Sequence, residues 1–92
     1  MEKPILVNVM EEIVRSLVMV LMRGSEYQMI CKCPKCEADI MALTLNSVPS
    51  HYVTSSFGRE AAYEQLNTKE NLEWINKRII RAIHVVSKYP KH

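Results

Sequence analysis

Apolar residues return at steps of three and four along three stretches of the chain, the period of amphipathic helices. The last stretch is the clearest. Leu72, Ile75, Ile79, Ile83 and Val86 form one stripe and Ile80 widens it. Lys69, Glu70, Glu73, Lys77, Arg78 and Arg81 fall mostly on the opposite face. Asn67 or Thr68 opens this helix, Asn67 with Glu70 has the spacing of a capping box, and Pro90 ends it. The first stretch covers about residues 7–23, with Leu6, Met10, Ile13, Leu17 and Val20 along one seam. Asn8 is placed as its cap, Glu11 as the capping-box partner and Gly24 as its stop. A second row, Val14, Val18, Leu21 and Met22, covers the flank of the same helix. A surface helix needs only one apolar stripe. Two rows point either to a helix deep in its own fold or to one also covered by a second subunit.

Between these helices the periodicity is shorter. Ala38, Ile40, Met41, Leu43 and Leu45 predict a short helix ending at Asn46. Residues 47–58 hold Pro49 and several small polar residues and read as an ordered loop, followed by a short helix over residues 59–65. The two glycines, Gly24 and Gly58, fall where helices would end or loops turn. There is no internal repeat. The expected architecture is all-α, in one domain.

Length and composition narrow the class. At 92 residues the chain buries a modest share of its surface, and domains of this size often add a metal, disulfides or a second subunit. Hydrophobic residues at 48% exclude a disordered chain. A net charge of +2 with scattered Lys and Arg gives no basic stripe for a nucleic acid polymer. Glu11, Glu12 and Arg15 interrupt the first apolar stretch, which argues against a secretory signal. The longest apolar run, residues 17–22, is far short of the roughly 20 residues that span a bilayer. The expectation is a cytoplasmic protein without membrane contact.

The most specific local chemistry is Cys31-Lys32-Cys33-Pro34-Lys35-Cys36. Cys33 and Cys36 have the spacing of a metal knuckle, Pro34 pre-sets the turn between them, and Cys31 adds a third sulfur. Lys32 and Lys35 would offset thiolate charge. Sulfur-rich tetrahedral sites select zinc. Three cysteines leave one over in any disulfide pairing, which also favours thiolate chemistry in a reducing compartment. A structural zinc site needs a fourth donor. His84, His51, His92, Asp39 and solvent are the options, and His84 is preferred because it lies on the long helix beside Ile83 and Val85. Three free thiols, a satisfied core histidine at 84 and a thiol-based redox sensor are the competing readings. A thioredoxin-like CxxC would need a βαβ context that this pattern lacks, and no base is tied to the cluster for a catalytic cysteine. No phosphate loop, carboxylate pair or nucleophile triad is recognisable, so no enzymatic activity is expected.

The segment from Asp39 through Asn46, followed by Pro49, Tyr52, Val53 and Thr54, joins a short helix to a loop in an unusual way. Asn46 suits a helix end and Pro49 fixes the loop. With Asn8, Glu12 and Val14 in the opening helix and the three cysteines, this Asp-x-x-Ala-Leu-x-Leu-Asn-x-x-Pro-x-x-Tyr-Val-Thr run resembles the late competence development protein ComFB family over most of the chain. The resemblance implies an all-helical homodimer without catalytic activity. In cysteine-bearing members it implies zinc held by the CxCxxC and one further ligand from the C-terminal region. That region of this chain has no cysteine, which again turns attention to His84.

Cyanobacterial relatives are described as receptors for cyclic di-AMP or cyclic di-GMP. The resemblance therefore implies a cyclic-dinucleotide receptor, and basic and planar side chains to hold the ligand. Tyr52, Arg59, Lys77, Arg78 and Arg81 are the candidates. A two-fold ligand suits a two-fold dimer. The alternative is a zinc-stabilised adaptor that binds an unidentified regulatory protein and no small ligand.

Overall fold

The computed structural model describes residues 3–88 and contains four helices: α1 (Val9–Met22), α2 (Pro34–Ser47), α3 (Ser56–Leu66) and α4 (Lys69–Lys88). A two-residue antiparallel pair, β1 (Val7–Asn8) with β2 (Tyr52–Val53), joins the start of the chain to the loop after α2. Its register sets Val7 opposite Val53 and Asn8 opposite Tyr52. α2 packs chiefly against α4 and α1, while α3 and β2 cover another side of α1. Among the described residues no helix is long and apolar enough to cross a membrane.

The core follows the periodicity of α4 closely. Ile75, Ile79, Ile83 and Val86 are buried, Ala82 joins them, and Leu72 packs on the edge. Burying each such isoleucine is worth about 1.5–3 kcal/mol relative to exposure. Ile40 of α2 and Val9, Val14 and Val18 of α1 fill the facing side. Thr44 is the one buried polar residue of the described core, and its hydroxyl donates to the Ile40 carbonyl at 2.9 Å.

α1 corrects the sequence reading. Its inner face is Met10, Ile13, Val14, Val18 and Met22, a mixture of the two expected rows. Leu6 and Val20, placed on the main seam, are 73% and 70% exposed. Short apolar residues all round α1 let several stripes fit the same period, and tertiary packing chose between them.

Capping groups set the other boundaries. Asn8 caps α1 as expected, but its Oδ1 accepts from both the Met10 N–H at 3.1 Å and the His51 N–H at 2.8 Å. One side chain thus starts a helix and fastens the strand pair. Glu11 pairs with Arg15 at 3.1 Å. α3 starts earlier than expected because Ser55 accepts the Gly58 N–H, which puts Gly58 in the first turn. For α4 the cap is Thr68, which accepts from Asn71, while Asn67 closes α3. Pro90, the expected end of α4, lies outside the described residues.

Candidate metal centre and ligand cleft

The thiol cluster is built on the N-terminus of α2. Cys33 is the cap residue and Pro34 occupies the first turn, where a missing N–H costs nothing. The Cys33 Sγ accepts the Cys36 N–H at 3.4 Å, and the Cys33 carbonyl accepts from Glu37 at 3.0 Å. Helix N-termini favour negative charge, so this cap favours a thiolate. The Sγ atoms of Cys31, Cys33 and Cys36 all lie within 4.8 Å of one another. Thiolates on one tetrahedral zinc stand about 3.8 Å apart. Small side-chain rotations therefore bring the three to a single ion, and the donor set can hold a metal.

The three thiols differ in environment. Cys31 is exposed, Cys33 is half-buried and Cys36 is buried. The Cys36 N–H, with help from the Cys31 thiol, lowers the pKa of Cys33. Burial, reinforced by the neighbouring Cys31 and Cys33, pushes the Cys36 thiol up to about 12. Without a cation one sulfur ionises more easily than an ordinary thiol and another strongly resists. A bound cation removes that conflict by stabilising all three thiolates.

Lys35, expected to offset thiolate charge, is engaged by Asp39 at 3.1 Å. That pairing also occupies Asp39 as a candidate ligand. His51 lies just before β2, where its backbone bonds Asn8 and Val9. His84 is exposed on α4 and is not in the close group of thiols. It is not the buried histidine that its apolar neighbours suggested, because Val85 beside it also faces out, at 45% exposure. His92 lies outside the described residues.

Among the residues expected to hold a ligand, Tyr52 and Arg59 meet in one open cleft of about 780 Å³ between the start of the chain, α1, β2 and α3. Sequence reasoning missed the rest of that cleft's lining, Leu6, Arg15 and Tyr63 among it. Nothing in the spacing of residues 6, 15 and 63 reveals that they converge, since the strand pair and the α1–α3 contact bring them together. Arg59 donates from Nε to Glu12 Oε2 at 3.0 Å, a bridge between α3 and α1 that fixes its guanidinium on the cleft wall. Tyr52 is 60% exposed, so its ring is presented to the cleft and to solvent. Arg78 and Arg81 instead line a separate groove of about 130 Å³ between α2 and α4, and Lys77 is exposed on the same helix.

Comparison with known proteins agrees with the arrangement of helices around the cysteine-capped α2. The family model described as late competence development protein ComFB matches residues 7–90. The solved structure of the late competence protein ComFB from Bacillus subtilis superposes with a TM-score of 0.83 at 29% identity, covering 95% of this chain and 93% of that one. No curated protein sequence matches. A match that runs from β1 through all of the described α4 takes in every described element of the fold, and the chain belongs to the late competence development protein ComFB family.

Proposed function

We propose that the protein is a non-enzymatic, dimeric receptor for a cyclic dinucleotide, with a zinc ion that stabilises the fold. The cleft carries the reading. Its volume of about 780 Å³ lies within the range of roughly 300–1,000 Å³ typical of small-molecule sites. Tyr52 and Tyr63 offer rings on which bases stack, and Arg15 and Arg59 offer guanidinium groups for phosphates. Glu11 and Glu12 hold the two arginines in place. Their carboxylates also suit guanine, whose N1 and N2 groups donate, so cyclic di-GMP fits this lining better than cyclic di-AMP.

The same proposal includes a dimer through α1. Met19 and Val20 are exposed and lie one turn beyond the cleft-lining Arg15 and Ser16, while Leu6 stands at the cleft itself. A second copy seated there brings two clefts toward one two-fold axis, which matches the symmetry of the ligand. Cys31, Cys33 and Cys36 hold the zinc, leaving a fourth position for solvent or a further side chain. Bound zinc supplies a cross-link between the loop before α2 and its first turn, and no chemistry.

Calorimetric titration of the metal-loaded protein with cyclic di-GMP, cyclic di-AMP and linear pGpG tests the proposal. The expected result is micromolar or tighter binding of a cyclic form at one ligand per dimer, strongest for cyclic di-GMP. Absence of heat and of any thermal shift with both cyclic forms would move the assignment to an adaptor without a small ligand.

A further inference from the structure

The groove between α2 and α4 lies apart from both the thiol cluster and the cleft and shares no lining residue with either. Its floor is apolar: Ala82 is buried, while Leu43 and Val85 remain 42% and 45% exposed. Two arginines, Arg78 and Arg81, stand over it, and among the described residues no carboxylate lines it. The ion pairs Arg15–Glu11, Lys35–Asp39 and Arg59–Glu12 involve neither arginine, and neither has an acidic partner among the described residues. The guanidinium carbon of Arg78 lies 5.3 Å from the centroid of the Trp74 ring, which orients it without neutralising it. Uncompensated positive charge thus borders an apolar floor.

Size decides what fits. About 130 Å³ is well below the roughly 300–1,000 Å³ of small-molecule sites, so a nucleotide is too large. A single branched aliphatic side chain is not. We propose that this groove docks an amphipathic helical segment of a partner protein, one aliphatic residue entering between Leu43 and Val85 and flanking carboxylates pairing with Arg78 and Arg81. Helical spacing places carboxylates three or four residues from such an anchor, on the same face. Charge complementarity chooses this occupant over a basic or neutral one, and the proposal stands independently of the cyclic-dinucleotide reading.

The test uses fluorescence anisotropy on the metal-loaded full chain. The probe is a fluorescein-labelled, helix-stabilised peptide with leucines along one face and glutamates flanking them. Matched peptides replace the glutamates with lysine or the leucines with serine. The expected result is micromolar binding of the Leu/Glu peptide alone, weakened at least about tenfold by Arg78→Glu/Arg81→Glu (about 1.4 kcal/mol). That variant should gain affinity for the Leu/Lys peptide. Leu43→Ser, on an exposed edge, should weaken the Leu/Glu peptide without lowering the melting temperature. Equal binding of all three peptides, or no binding of the Leu/Glu peptide, would overturn the proposal. So would a shift from dimer to monomer in Val85→Asp on sedimentation, since a second copy of the chain would then cover the groove.

Discussion

The thiol cluster and the ligand cleft are built in opposite ways. Three sulfurs come from six consecutive residues, positioned by one cap, one proline and the first turn of α2. The cleft draws Leu6, Arg15, Tyr52, Arg59 and Tyr63 from three helical or strand elements and the chain start, and the Asn8 bridge and the Arg59–Glu12 pair hold it together. A local site survives as long as its own turn does. A dispersed site depends on the tertiary fold and responds to anything that loosens α3 or the strand pair from α1. The cluster is therefore suited to stabilising, and the cleft to sensing.

The largest expected effect is on the cluster. Cys33→Ser removes a proposed ligand while the new hydroxyl can still cap α2, and it should abolish stoichiometric metal binding. Losing a ligand-like stabilisation of at least about 3 kcal/mol lowers the melting temperature of a domain this size by roughly 12–24 °C. Metal analysis with calorimetric melting checks it, and unchanged zinc content and melting would remove the structural role. Next is Arg59→Ala. Its loss should weaken a cyclic dinucleotide by about 1.5–3 kcal/mol, or roughly 10- to 150-fold, while stability changes by less than about 1 kcal/mol because the ion pair is exposed. Titration alongside urea denaturation separates the two effects.

Asn8→Ala should come third. It removes a helix cap and the bond to His51 at once, and about 1–2 kcal/mol of stability should go in chemical denaturation. Because the strand pair forms a cleft wall, ligand affinity should fall with it. A further effect appears only in the metal-free protein, as a pH slope. Cys36 keeps its proton in the folded state up to about 12, against an ordinary value of 9.0 when unfolded, so stability falls as pH rises above 9.0. Cys33, lowered by the Cys36 N–H, acts in the opposite sense and adds stability as pH rises toward 9.0. Denaturation midpoints across this range should pass through a maximum, and Cys36→Ala should remove the alkaline fall.

The sequence made the local features legible. The stripe of α4, the Asn8 cap and the closeness of Cys31, Cys33 and Cys36 were all readable, because each rests on contacts a few residues apart. The resemblance to the family placed the fold as a whole. What could not be read depended on distant contacts. α1 offered several equivalent stripes, and only packing showed that Leu6 and Val20 face outward. The apolar neighbours of His84 did not imply burial, since Val85 shares its exposure. The basic residues were readable as a set. Their division into an acid-braced cleft residue, Arg59, and two arginines on α4 without carboxylate partners among the described residues was not.

Proposed recognition and proposed stabilisation fall in separate sites, the cleft and the thiol cluster. The most direct measurement is a parallel titration of cyclic di-GMP into metal-loaded wild type, Arg59→Ala and Arg78→Ala/Arg81→Ala, with zinc content and melting recorded for each. Affinity should be lost in Arg59→Ala alone, with zinc and melting intact in all three. Undiminished binding by Arg59→Ala, with binding abolished in the double variant, would overturn this assignment and place the ligand's phosphates on Arg78 and Arg81 at the surface of α4.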